Sequence, residues 1–467
     1  MKKYIVSICL SMLLFSSCSN WLDVKPKTTV EEEEVFSREL GFKEALTGVY
    51  IKMASTDLYA RNLSYGFLDI LGQRYQIEDL EAYQDELWYT FPSTKTENYT
   101  ETIWGEMYNV IANVNNLLYY CDKNREVFTT ANYYEIIKGE ALGLRAFLHF
   151  DLLRMFGPVY ETNKTARRIV YRTVFDREVK ELQPSNVVVD SIIADLKMAE
   201  SLLKNTDPLN FEFPLTADDE SLMTGDRFLV YRHKRMNLYA VQALLARVYL
   251  YAGQKTEAAA YANLVIDCKQ FDFVANASDV LRSKEILFSV YVDKFDKQVE
   301  DEFNTSGKYY IKDVNFLNDM FDVNQDGTND FRIREGLSFD YGTYGVTLRK
   351  YKQTNMWAST EGTIVLVRLA EMYYILAECA SDAKTAGEYL NKVREARGID
   401  PATLTEESRL NEIEKEYRKE FYGEGQLFFF YKRHFYPTFL HCPVGKMAES
   451  NYMFSWPDNE VLFGKTN

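Results

Sequence analysis

Apolar positions recur at helical spacing along much of the chain. In Leu238–Tyr251 the stripe is Leu238, Val241, Leu244, Leu245, Val248 and Tyr249, and Ala240, Ala243 and Ala246 lie where a second helix can approach closely. Gly253 closes this helix, and after a short turn Glu257–Cys268 supplies its partner, a helical hairpin of tetratricopeptide type. Two other regions repeat the design: Trp104–Tyr120 with Glu140–Gly157, and Val365–Ala380 with Ala383–Gly398. Three stacked pairs suffice to bury a continuous core. The spacing therefore predicts an all-α body, mainly helical, with pairs over about 104–157, 238–268 and 365–398 and long irregular insertions between them. Nearer the start, Phe42, Ala45, Leu46, Val49 and Tyr50 share one helix face. Thr29 with Glu32 is a capping box for that helix, and Glu31–Glu34 put negative charge on its positive end, which makes the acidic run a helix start rather than a cation site.

Elsewhere the periodicity fades. Residues 65–99 and 293–357 are rich in Tyr, Asp, Asn and Gly and poor in long apolar stripes, so they are expected as ordered loops carried by the helical frame, where binding residues concentrate. The first residues form a third texture. Lys2 and Lys3 precede an apolar run from Ile5 to Phe15, and Phe15-Ser16-Ser17-Cys18 closes it as a lipoprotein processing site would. Eleven residues fall short of the roughly 20 a helix needs to span a bilayer. Residues 1–17 are accordingly expected as signal peptide, Cys18 as the lipidated residue, 18–28 as a tether and 29–467 as one domain.

Charge narrows the partners. The formal net charge of −15 disfavours nucleic acid and anionic headgroups and favours a neutral or cationic ligand. Besides Cys9 in the leader and Cys18, the cysteines Cys121, Cys268, Cys379 and Cys442 are too far apart for a disulfide or zinc framework, and Cys268 and Cys379 are expected as small buried hydrophobes. Aromatics are abundant: 34 Tyr, 30 Phe and 5 Trp. Most fill the core, but tyrosine also suits surfaces that meet hydroxylated ligands.

Several segments together resemble one family. They are Cys18–Pro26 (CSNWLDVKP), Phe42–Tyr50 (FKEALTGVY), Glu140-Ala141 with Arg145-Ala146, Phe156–Val159, Asp195-Leu196 with Ala199, Ala243–Leu250, and Glu285–Phe288. Later come Val367–Glu371 (VRLAE), Ala377-Glu378, Leu390–Arg394 (LNKVR), Glu420 with Gly423–Gly425, Lys432-Arg433, and Trp456–Glu460 (WPDNE). In order and spacing the chain resembles the SusD/RagB family of outer-membrane nutrient-uptake lipoproteins over nearly all its mature length. The resemblance implies four tetratricopeptide-like pairs that dock on a SusC-like TonB-dependent transporter, and irregular segments that form the ligand site. It also implies outer-membrane, surface-anchored localisation and a role in polysaccharide utilisation. Two departures stand out: a mature length near 450 residues is compact for the family, and Gly425–Tyr431 (GQLFFFY) is unusually aromatic.

No motif whose spacing chemistry requires is present: no H-E-x-x-H, Gly-x-Ser-x-Gly elbow or full Gly-x-x-x-x-Gly-Lys-Ser/Thr phosphate loop. The four histidines, His149, His233, His434 and His441, show no helical pairing. One stretch has the form of a calcium loop: Asp322, Asn324, Asp326 and Asp330 stand at positions 1, 3, 5 and 9 with Gly327 at 6, although position 12 is Ile333. Beyond that candidate calcium no cofactor is expected. For a sugar, flat rings and nearby polar groups are needed. Tyr75, Tyr83, Trp88, Tyr89 and Tyr99 in the first irregular segment, and Tyr341, Tyr344 and Trp357 in the second, are the candidates, with Gln73, Arg74, Asp85, Asn98 and Arg349 beside them. The expected function is capture of an oligosaccharide without catalysis. A peptide ligand, or a helical-repeat adaptor that binds only protein, are the alternatives.

Overall fold

The structure is a computed structural model and describes residues 32–465 except 78–79, 92–93, 209–226, 275, 305–308, 344 and 353–359, with the backbone alone for 80–83, 94–96, 227 and 233. Ten helices form the frame: α1 (Glu39–Met53), α2 (Thr94–Lys123), α3 (Tyr133–Phe156), α4 (Ser185–Leu203), α5 (Leu238–Tyr251), α6 (Lys255–Asp267), α7 (Leu369–Cys379), α8 (Ala383–Ala396), α9 (Arg409–Glu420) and α10 (Leu427–Arg433). Each packs on the next in chain order, so the frame grows as a stack of antiparallel neighbours. The mainly α expectation is met.

Local chemistry explains the stack. The α5 helix starts where the Asn237 side chain accepts from the Ala240 N–H at 2.9 Å. Its predicted stripe is almost wholly buried, and burying one Leu side chain is worth about 1.5–3 kcal/mol. Where α3 meets the chain entering α5 there is room only for a residue without a side chain: a Cβ at Gly143 would lie 2.5 Å from Met236 Cγ and 3.2 Å from Val241 Cγ2.

Three expectations change. Val365–Ala380 is not one helix: residues up to Arg368 form strand β4 (Thr363–Arg368), because the run Thr-Ile-Val-Leu-Val is β-branched and lacks a 3.6-residue period. Strand β1 (Ile286–Tyr291) pairs antiparallel with it, Tyr291 opposite Thr363. The helix that holds Tyr50 begins at Glu39, after a separate turn of helix, Glu32–Val35; between them Phe36 folds inward and stacks on Tyr120 at 4.4 Å. Thr29, its proposed cap, lies outside the described residues, as does Cys18. Cys268 and Cys379 are half-buried, not buried; both are free thiols, as are Cys121 and Cys442.

The long insertion between α6 and α7 carries β1, the hairpin β2 (Phe339–Gly342) and β3 (Gly345–Leu348), and β4. Among the described residues no helix is long and apolar enough to cross a membrane.

Candidate functional site

Among the described residues the predicted aromatic side chains do not meet one another. Tyr75 is buried with its ring 5.2 Å from Tyr309, and Tyr89 is buried against Phe428 while its hydroxyl donates to the Leu71 carbonyl. Tyr99 is half-buried and stacks on Phe67 at 5.2 Å, and the Tyr341 hydroxyl donates to the Ile333 carbonyl. These tyrosines hold the irregular segments onto the frame. Of the set, Trp88 is presented to solvent, 51% exposed at the end of the helix Leu80–Trp88. Tyr344, Trp357 and the side chain of Tyr83 lie outside the described residues. The polar companions are also engaged: Gln73 donates to the Leu87 carbonyl, Arg74 is buried against the Tyr422 ring and Arg349 pairs with Asp340. Asp85 accepts from the Thr90 hydroxyl, while Asn98 is exposed.

The calcium-like loop has its acids engaged within the chain. Residues Val323–Asp326 form a helical turn whose acids face cations of the chain itself. Asp322 pairs with Arg418 and Lys419, Asp326 with Arg394 at 2.8 Å and with Lys419, and Asp330 with Arg332 at 2.7 Å, while Asn324 is exposed. Burial would raise the Asp326 carboxyl, but Arg394 and Lys419 outweigh it and hold it at about 2. No group of three or more His, Cys, Asp or Glu side chains converges among the described residues.

A different place combines rings with polar groups. A cavity of about 490 Å³, within the roughly 300–1,000 Å³ of small-molecule sites, opens between α1, the segment before α5, and β1. Tyr50 stands on α1, Tyr231, Lys234 and Arg235 on the segment, Ser289 and Tyr291 on β1, and Glu361 on the turn into β4. The Tyr50 ring is fixed by its hydroxyl, which donates to Glu140 at 2.7 Å and accepts from the Met236 N–H at 2.9 Å. Tyr231 adopts the left-handed region, φ 56°, and so turns the chain into the short helical turn Arg232–Lys234. Tyr291 is 55% exposed, and the turn before β4 lies against its ring: a Cβ at Gly362, φ +64°, would sit 2.6 Å from Tyr291 Cε2.

The cations of this segment differ in their partners. Arg232 is fully buried and bridges Glu140 to Asp207. Arg235 donates to Glu140 at 3.0 Å and to the Phe228 carbonyl at 2.8 Å. Lys234 holds its ammonium 5.0 Å above the Tyr231 ring; burial lowers it to about 8, with Glu361 pulling the other way. The sequence does not single out this site, because Tyr50 reads as a frame residue and Tyr291 stands two positions before the second irregular segment. The signal present was Arg232-His233-Lys234-Arg235, a dense cationic run in an acidic chain.

The stacked-hairpin frame with its inserted strands is the architecture of a SusD-type helical protein. Residues 20–213 match a SusD-like family described as starch-binding and associating with the outer membrane, and residues 293–454 match the SusD family, SusD/RagB. The chain belongs to the SusD/RagB family. It is similar to a SusD-like protein, P38, of Formosa agariphila, 24% identical over 436 residues that cover 84% of this chain and 81% of that one. Among solved structures it is similar to a SusD-like carbohydrate binding protein from Bacteroides vulgatus, with TM-score 0.70, 18% identity and coverage of 92% and 97%. A laminarin binding SusD-like protein gives TM-score 0.66, 19% identity and coverage of 92% and 98%.

Proposed function

We propose that this protein captures an oligosaccharide in the tyrosine-lined cavity and hands it to a SusC-like TonB-dependent transporter, without catalysis, while anchored at the cell surface through acylated Cys18. The observation that carries the glycan part is the cavity itself: three tyrosines, a carboxylate, an ammonium and a hydroxyl around one space on a SusD-family frame. Rings stack on the apolar face of a pyranose, and the polar groups exchange hydrogen bonds with its hydroxyls. The family's starch-binding description and the laminarin-binding neighbour support glycan over peptide.

Calorimetry of the purified full chain against a panel of neutral oligosaccharides tests the site. Tyr291→Ala is expected to weaken the best glycan about tenfold, ~1.4 kcal/mol. Trp88→Ala serves as the counter-variant. If Trp88→Ala removes binding and Tyr291→Ala leaves it intact, the ligand sits on the helix Leu80–Trp88 and the cavity assignment is wrong.

A further inference from the structure

The cavity contains more hydrogen-bond donors than its own walls use. No hydrogen bond or ion pair among the described residues reaches the Lys234 ammonium, whose contact is the Tyr231 ring. Arg235 leaves its Nη2 without an acceptor after serving Glu140 and Phe228. Ser289, 1% exposed on β1, has a hydroxyl with no partner. Buried polar groups are normally satisfied, so two buried orphans, Arg235 Nη2 and Ser289 Oγ, beside the half-buried ammonium of Lys234 on residues lining one cavity call for a ligand group that supplies acceptors. The neighbouring carboxylates are placed differently: Glu140 is consumed by Arg232, Arg235 and Tyr50, and Glu361 is exposed at the rim.

We infer that the inner end of the cavity takes one acidic group, a carboxylate or a sulfate, carried on a single unit of an otherwise neutral oligosaccharide. The inference rests on the glycan reading of the cavity and names the ligand's chemical class. Lys234 supplies the countercharge, and Arg235 and Ser289 the directed donors. The Tyr291 ring, 55% exposed, offers a face to the neutral units, and Glu361 accepts from hydroxyls at the mouth. A polyanion is disfavoured, because a chain of net charge −15 repels repeated negative charge outside the cavity, whereas a single acid is paired at contact distance, inside the Debye length of about 10 Å at 0.1 M salt. The depressed ammonium of Lys234 fits this picture: an arriving anion restores the charged form that burial disfavours.

The test is a glycan array of matched pairs probed with the full chain: xylotetraose against xylotriose bearing one 4-O-methylglucuronate, and lactose against 3′-sialyllactose and lactose 3′-sulfate. At least one acidic member is expected to bind about tenfold tighter than its neutral partner. The carboxylate and sulfate arms show which acid is preferred. Lys234→Met should bring both members of that pair to the neutral affinity, and Lys234→Arg should keep the preference. Equal binding of acidic and neutral members by the parent, or a preference that survives Lys234→Met, overturns the inference. In that case loss of neutral binding in Tyr291→Ala still upholds the glycan site. If neither neutral nor acidic glycans bind the parent, the glycan reading fails and this inference with it.

Discussion

Two charged regions of this molecule look alike in the sequence and opposite in the structure. Asp322–Asp330 concentrates acids, and Arg232–Arg235 concentrates bases. In the first, every acid is answered: Asp322, Asp326 and Asp330 meet Arg418, Lys419, Arg394 and Arg332, and the pairing continues through Glu416 and Glu420 to Arg368 and Arg397. In the second, Arg232 and Arg235 are answered by Glu140 and Asp207, but among the described residues Lys234 forms no ion pair and feels only the more distant pull of Glu361. The difference teaches that local charge density does not mark a site. A site is marked by charge left unmatched once the fold has closed, because a matched cluster has already used its interaction energy on the chain itself.

The largest effect is expected from breaking the matched region. Glu420 accepts from Arg397 at 2.7 and 2.9 Å and from Arg332 and Arg368 at 3.2 Å, all buried. Those guanidiniums hold its carboxyl well below the usual range despite burial. Removing one partner from such a network leaves buried charge uncompensated, so Glu420→Ala should lose about 3–5 kcal/mol of stability. Urea unfolding measures it. A loss under about 1 kcal/mol would mean that water reaches these guanidiniums and that the cluster is not closed.

The same contrast explains what was legible in the sequence. Helices α5 and α6 could be read directly, since their burial is apolar and periodic. Helix α9 could not: it buries Glu412, Glu414, Glu416, Arg418, Lys419 and Glu420 through ion pairs, so its sequence looks like a solvated face. Helix α4 carries the same apolar period in Val188, Val189, Ile192, Leu196, Ala199 and Leu203. The family could be read from scattered segments whose spacing the frame preserves. The cavity could not, because Lys234 stands apart from its neighbours only after Glu140, about ninety residues earlier, has taken Arg232 and Arg235. Tyr75 and Tyr89 serve packing, and nothing local distinguishes a packing tyrosine from one that meets ligand.

An intermediate effect should sharpen the cavity side of the comparison. Gly362→Ala places a methyl group 2.6 Å from both the Tyr291 ring and the Val292 carbonyl, at a positive φ. Strain of this kind costs about 1–3 kcal/mol. Because Tyr291 is the exposed partner, part of the strain should be released by moving its ring. Glycan affinity should therefore fall together with stability, in contrast to Glu420→Ala, where the surviving folded fraction keeps its affinity. Titration calorimetry on both variants separates the two, and unchanged affinity in Gly362→Ala would remove Tyr291 from the binding wall.

The smallest effect concerns Lys234 without ligand. Its folded-state value, about 8, lies below the ordinary 10.5, so between these limits the unfolded chain carries a proton that the folded chain has lost. Stability rises with pH wherever the unfolded state binds more protons; the parent should therefore gain stability from about pH 8 toward about 10.5. Asp326 also favours the fold as pH rises, but in another window: its stabilisation is complete above about pH 4 and is lost as pH falls toward its folded value of about 2. Lys234→Met removes the alkaline contribution and leaves the acid one intact. At pH 7 the variant should exceed the parent in stability, since it deletes an unmatched charge instead of breaking a pair. Urea midpoints of both proteins at pH 7, 8, 9 and 10 should show the parent closing that gap as pH rises. A gap that stays constant over this range would mean the ammonium is bathed in water, and the cavity would then hold no unmatched charge to offer a ligand.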